Sequence, residues 1–434
     1  MTEWSLLDGP LPWLITVAGV GGGLWLVCVR RRWFVRRAVP TAIVVAVVVT
    51  GIVRVVVERW WRPFPDSVPM AICAYFACGV CAVVLVVPRI VASAGVAGRV
   101  ISGVAGVGVL LALTLQANVF FAQYPTIGDL LELAPANEIP FADVPGPTTV
   151  VTGVPLEPVW RTVPTAATVG ATPGRVVADL PIPGARSGFP ARSAQLYLPP
   201  AYFASPRPLL PVLILLPGQP GSPSDWFHGG RLTATMDAFA AAHAGLAPVV
   251  VVADENGGSF DNPVCLDSRL GNAATYLAVD VPDWVRTHLQ VDPTPTSWAI
   301  AGISSGGTCA LQMATNYPQV YPTFFDMSGD LEPTLGDRSQ TVDAAFGGDD
   351  AAFTRVNPVD LMRVRSYPES NGLFVTGVED SDGLAAQRSV CGAATEAEMR
   401  TRCVEVSGGH DWSVWSSALS DEMDWLATRL GLIP

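Results

Sequence analysis

The chain has 434 residues, half of them apolar and 15% charged, with mean hydropathy +0.38 and a formal net charge of −12. An acidic balance with no basic stripe excludes a nucleic-acid partner. All 26 Lys/Arg positions are Arg, which removes a Walker-type lysine, a Schiff-base lysine and a Ser-Lys dyad from consideration.

Nearly all the long apolar runs lie before residue 122. Four of them, 11–29, 38–57, 68–87 and 100–121, reach the about 20 residues that a helix needs to cross a bilayer. No short apolar core with a cleavage site leads into a polar mature start, so neither a signal peptide nor a transit peptide is read. Arginines set the orientation. The first connection holds Arg30, Arg31, Arg32, Arg36 and Arg37, and the third holds Arg89 and Arg99. The second, from Glu58 to Pro63, is aromatic and nearly neutral. The first and third connections are therefore expected in the cytoplasm, which puts both chain ends outside. Residues 1–122 read as a multi-pass membrane anchor. Arg54, near an outer end, is expected to snorkel to the interface. Gly19 and Gly23 form a small-xxx-small pair suited to helix packing. Cys28, Cys73, Cys78 and Cys81 lack zinc spacing and read as small buried hydrophobes.

Residues 123–173 carry Pro135, Pro140, Pro145, Pro147, Pro155, Pro158 and Pro164. Such a stretch tends to extended structure and is expected to act as an extracytoplasmic tether.

From 174 to 434 the composition is that of a water-soluble domain. Short β-rich runs (175–180, 194–198, 211–216, 248–253, 297–302, 321–327, 372–378 and 403–406) alternate with helical stretches such as 272–289, 305–317 and 412–430. That alternation predicts a mostly parallel sheet covered by helices on both faces. Cys265, Cys309, Cys391 and Cys403 form an even set in a domain expected outside the membrane, where disulfides persist. The pairing favoured is Cys265–Cys309 and Cys391–Cys403.

At 302–307 the chain reads Gly302-Ile303-Ser304-Ser305-Gly306-Gly307, a G-x-S-x-G motif between a predicted strand and a predicted helix. In that setting the serine sits on a sharp turn that projects its hydroxyl from the sheet, at the positive end of the helix. A serine nucleophile needs a base, and imidazole is poised near neutral pH. Of the four histidines, His410 follows the last predicted strand and precedes the final helix, so it is the expected base. His243 and His288 fall on predicted helices and read as surface residues. The acid that orients the imidazole should follow the penultimate strand, where Glu379, Asp380 and Asp382 stand together. Asp380 is the first choice, Glu379 the second and Asp382 the third. Two donors for an oxyanion are expected from the backbone N–H of Ser305 and, since Pro220 has none, from that of Gln219. Trp226 and His228, in the loop after the third strand, are candidates for substrate contact; the alternatives are that Trp226 fills the core and that His228 is a solvated loop residue.

With Leu210 to Gly218, the 302–307 motif and Gly408-Gly409-His410-Asp411-Trp412, residues 174–432 resemble the esterase family of α/β-hydrolases that contains esterase D-type S-formylglutathione hydrolases, feruloyl esterases and antigen 85 mycolyltransferases. The stretch from Tyr197 to Tyr202 resembles that family's entry into its central sheet. Four spans before such a domain are similar to actinobacterial membrane esterases. The resemblance implies an α/β-hydrolase fold and acyl transfer, with Ser304 as nucleophile, His410 as base, and Gln219 and Ser305 as donors. From the residues themselves, no His/Cys/Asp cluster has metal-ligand spacing and the globular part has no Gly-rich phosphate loop, so no metal and no cofactor are expected. One departure stands out: the histidine that often precedes the oxyanion-loop glycine is Pro217 here.

Three functions follow as expectations. The first is a cell-surface carboxylic-ester hydrolase working through an acyl-enzyme on Ser304. The second is an acyltransferase acting on envelope lipids, and the third is an idle hydrolase domain used as a binding module. The expected partners are a small ester or acyl-lipid substrate and the cytoplasmic membrane.

Overall fold

The computed structural model describes residues 3–61, 67–135, 137–170 and 172–434, so Arg62 and Pro63 of the second connection lie outside the described residues. The chain divides into two compact units, Met1–Leu133 and Ala134–Pro434.

In the first unit four helices are long and apolar enough to cross a membrane. They include α1 (Pro10–Val27), α2 (Val39–Val55), α3 (Met70–Ala92) and α4 (Gly95–Phe121). Helices α1 and α4 approach closely where side chains are small. A Cβ on Gly19 would lie 2.3 Å from Ala112 Cβ, and one on Gly22 2.7 Å from the Ala105 carbonyl oxygen. Gly23, the expected partner of Gly19, meets only Val109 at 3.9 Å. The close contact therefore runs through Gly19 and Gly22, because Ala105 and Ala112 share the facing side of α4.

Helix α3 continues past Val87 and carries Arg89, expected in a connection, within it. The guanidinium is buried: Nε donates to Trp25 O (2.7 Å), Nη1 to Ser93 Oγ (2.7 Å), and its carbon lies 4.3 Å from the Trp25 ring centroid. A carbonyl, a hydroxyl and a π face replace water around the charge. Arg54, expected to snorkel, pairs with Glu58 at 2.9 Å. Of the four cysteines expected to be buried, Cys73 is, whereas Cys28 and Cys78 face outward. Helices apolar all round accept small apolar groups on either side.

The second unit is built on an eight-stranded sheet. Its strands are β1 (Arg175–Leu180), β2 (Ala194–Leu198), β3 (Val212–Leu216), β4 (Val249–Val252), β5 (Trp298–Ile303), β6 (Thr323–Met327), β7 (Asn371–Gly377) and β8 (Arg400–Val406). The spatial order is β8-β7-β6-β5-β3-β4-β2-β1, with β3 to β8 parallel and β2 antiparallel to both β1 and β4. Strands β3, β4 and β5 are buried along their whole length, as expected where helices cover both faces. This is the α/β-hydrolase arrangement. The expected helix 272–289 is interrupted by a π turn at Tyr276–Asp280 before Val281–His288, and the expected helix 412–430 breaks at Glu422.

Residues 137–170, read as part of a free tether, instead pack on this unit. Val150 and Val151 pair with Arg207 and Pro208. A short helix, α5 (Leu156–Trp160), buries Leu156 and Trp160. The Trp160 indole N–H donates to Ala244 O (2.9 Å), and Leu156 N–H donates to Gly431 O (2.9 Å). His243, expected at the surface, stacks on Phe239 and hydrogen-bonds Glu157 of α5 through Nδ1 (3.0 Å). Proline prevents long regular structure here, yet a few large apolar side chains suffice to dock the segment.

Trp160→Ala should lower the stability of the detergent-solubilised protein by about 3–5 kcal/mol, the usual cost of a large core truncation. Chemical denaturation measures it. A change below about 0.5 kcal/mol would mean that the segment is loosely held.

Candidate active site

Ser304 stands between β5 and α6 (Ser305–Asn316), with φ 52° and ψ −123°. Positive φ strains a non-glycine residue, and the backbone around it leaves no alternative. A Cβ on Gly302 would sit 2.3 Å from the Gly306 carbonyl oxygen, and one on Gly306 2.1 Å from that of Pro217. Both positions therefore require glycine. The turn is pinned by Ser304 N–H donating to Met327 O at the end of β6 (2.8 Å).

The structure brings His410 to this serine. Its Nε2 lies 3.0 Å from Ser304 Oγ, and its Nδ1 lies 2.7 Å from Asp380 Oδ2. An ionised carboxylate only accepts, so Nδ1 carries the proton and Nε2 is left to accept from the serine hydroxyl. Among the three expected acids, Asp380 reaches the imidazole; Glu379 and Asp382 are exposed. Asp380 also caps α7 (Ser381–Glu396), accepting from Gly383 N–H (3.1 Å). Burial would push its carboxyl up, but the hydrogen bond and charge of His410, with the Gly383 N–H, outweigh this and hold it below the usual carboxylate range.

Close backbone contact also sets the His410 loop. A Cβ on Gly377 would lie 2.3 Å from Gly408 O, and Glu379 N–H donates to Gly408 O (2.9 Å). Asp411 accepts from Gly409 N–H (3.1 Å) and caps the helix Trp412–Asp421 through Ser413 N–H (2.9 Å). The Trp415 ring meets the imidazole edge-on, centroids 4.9 Å apart, and its indole N–H donates to Ser328 Oγ (3.1 Å).

Of the two expected oxyanion donors, Ser305 is the first residue of α6, and Gly218–Gln219 lies beside Ser304: a Cβ on Gly218 would be 3.5 Å from Ser304 Cβ. For Trp226 the structure favours the core over the pocket. Trp226 is fully buried, donates to Leu216 O (2.8 Å) and packs edge-on against Trp412 at 5.2 Å, so it fills the core. His228, the other candidate, is half-buried in the same loop. Cys265 and Cys309 stand at disulfide distance (Cα–Cα 5.5 Å), as do Cys391 and Cys403 (6.4 Å). The first pair ties the loop after β4 to α6.

Sequence reading missed Asp254, Glu255 and Asn256, all buried at the carboxyl end of β4. The signal was present: a run of polar residues directly after a strand of the parallel sheet, where such folds bind ligands. Asp254 pairs with Arg192 (2.6 Å). Burial, with Asp254 beside it, pushes the Glu255 carboxyl well above its ordinary range. Glu255 and Asn256 also line a small polar cavity of about 20 Å³ with Ser305, Thr308 and Asp330.

The family described as "Putative esterase" matches residues 191–426. An uncharacterized protein of Corynebacterium glutamicum is 37% identical over 449 residues, with the whole of both chains covered. An S-formylglutathione hydrolase of Paracoccus denitrificans is 28% identical over 159 residues, 36% of this chain and 56% of that one. A diacylglycerol acyltransferase/mycolyltransferase Ag85C of Mycobacterium leprae is 37% identical over 62 residues, 14% of this chain and 18% of that one. A solved ferulic acid esterase shares the fold with a TM-score of 0.51 at 18% identity, covering 60% of this chain and 99% of its own.

Asp326, at the end of β6, is buried against α6. Burial raises its carboxyl to about 7, with Asp330 pushing the same way and the Gly329 N–H opposing. The unfolded carboxyl releases its proton near pH 4 and the folded one near 7, so stability from this group falls as pH rises between those values. Asp326→Asn should therefore gain about 3 kcal/mol on the wild type between pH 4 and pH 7, since each tenfold difference in proton affinity is worth about 1.36 kcal/mol and the unfolded and folded carboxyls are half-titrated at the two ends of that range. Urea denaturation at the two pH values measures the change.

Proposed function

The chain belongs to the esterase family of α/β-hydrolases, and from that premise we propose that it is a membrane-anchored serine esterase with Ser304, His410 and Asp380 as its catalytic triad and its hydrolase unit outside the cytoplasmic membrane. The reading is carried by one observation, the hydrogen-bonded line from Ser304 Oγ through the imidazole to Asp380 at the carboxyl end of the parallel sheet. His410 Nε2 takes the Ser304 proton as Oγ attacks the ester carbonyl. The oxyanion receives the N–H groups of Gln219 and Ser305, at the positive end of α6. Asp380 stabilises the imidazolium, which returns the proton to the leaving alcohol. Water then releases the acid from Ser304, and the serine is regenerated.

Anchoring is supported by the four apolar helices. The outside location is supported by the arginine-rich first and third connections, and by two cysteine pairs at disulfide distance, which suit an oxidising compartment.

A fluorophosphonate should label wild-type protein at Ser304, and Ser304→Ala should lose both labelling and turnover. Asp380→Asn should lower kcat on the order of 10³–10⁴-fold, whereas Glu379→Gln should stay within about threefold. No labelling of the folded wild type would leave a binding module. If a sugar alcohol offered with the ester captures the acyl group in preference to water, the enzyme is an acyltransferase.

Trypsin added outside intact spheroplasts should cleave the hydrolase unit after its exposed arginines. Protection until the membrane is lysed would reverse the orientation.

A further inference from the structure

We propose that Asn256 is a positioning residue of the oxyanion hole, holding the Gly218–Gln219 peptide plane so that the Gln219 N–H faces the reacting carbonyl. The inference rests on the hydrolase reading above and adds to it a residue that sequence motifs do not mark.

The argument starts from the peptide unit. The Gly218–Gln219 bond is not among the cis peptides, so its C=O and N–H point in opposite directions in one plane. Whatever fixes the carbonyl fixes the amide. Asn256 Nδ2 donates to Gly218 O at 3.2 Å, in a site where Asn256 is 4% exposed. The second Nδ2 proton goes to Glu255 Oε1 (3.2 Å). Turning the amide over would set its oxygen against the Gly218 carbonyl, acceptor against acceptor, so the hydrogen-bond pattern selects the orientation.

Asn256 is itself held from behind. The Asp254 carboxylate accepts from Asn256 N–H (3.2 Å), Gly257 N–H (3.0 Å) and Arg192 N–H (2.7 Å), and from the Arg192 guanidinium (2.6 and 3.1 Å). The loops after β3 and β4 are joined at two further points. Gly221 N–H donates to Ser259 O (3.3 Å), and Gln219 Nε2 to Phe260 O (3.2 Å). Asn256 is a buried side chain that grips the peptide carrying the proposed donor. A buried carbonyl that lost this partner would turn toward another donor, and the amide would turn with it.

The test uses full-length protein in detergent, with turnover normalised to the Ser304 sites labelled by fluorophosphonate. Asn256→Ala should lower kcat about 10- to 100-fold, short of the 10²–10³ lost when an oxyanion donor is removed outright, with KM within about threefold. Affinity for a trifluoromethyl ketone, whose adduct carries the oxyanion, should fall by the same factor. Asn256→Asp, equal in size but with an acceptor facing the carbonyl, should be at least as impaired and guards against a folding artefact of the alanine variant. A structural role alone would lower the melting temperature and leave kcat per labelled site unchanged. Both variants within threefold of wild type in kcat and in ketone affinity would overturn the inference and leave the hydrolase reading intact. Wild-type protein that neither labels nor turns over ester would overturn both.

Discussion

Main-chain atoms approach one another at the carboxyl ends of the central strands more closely than any Cβ permits. Gly302 faces Gly306, Gly306 faces Pro217, and Gly377 faces Gly408. Each contact removes a layer of side chain and lets a loop from one strand touch a loop from the next. The positive φ of Ser304 follows from the first two, and the reach of Asp380 to His410 follows from the third. Strain at Ser304 is thus over-determined by its surroundings, the condition under which such backbone persists.

Around those contacts, polar side chains do for the loops what the sheet ladder does for the strands. Asp411 shapes the turn that carries His410, Asp254 shapes the turn that carries Asn256, and Asp380 serves at once as partner to the imidazole and cap of a helix. Trp226, Trp412 and Trp415 form an edge-to-face series that ends on the His410 ring. Aromatic rings with a satisfied N–H give large, rigid contacts, and here they back the imidazole with groups that do not titrate. The Cys265–Cys309 pair adds a covalent tie between the loop after β4 and the nucleophile helix.

The apolar unit meets the opposite problem, which is how to keep buried polar groups satisfied among apolar side chains. Arg89, Trp25, Ser93 and Ser102 answer it together, each bonded to another of the set. Small residues on α1 and α4 bring the helices near enough for such bonds to span them.

The candidate nucleophile and base, the mostly parallel sheet covered by helices and the four apolar helices were legible in the chain because each obeys a local rule. These are a glycine-flanked turn, a histidine after the last strand, alternating periodicities and runs of bilayer length. Choices among neighbours were less legible. Glu379, Asp380 and Asp382 share one turn; Asp380 is the first choice by its place in that loop, and it is the one of the three that the imidazole 30 residues away meets. Trp226 lies in the right loop, but the packing of Trp412 buries it. The proline-rich stretch looked extended until Trp160 found a partner at Ala244. Asn256 belongs to no motif, since its meaning lies in a carbonyl 38 positions earlier. Local spacing determines which groups are available and roughly where along the chain they stand. Which of them meet is decided by contacts between residues far apart in sequence, and those exist only once the sheet has closed.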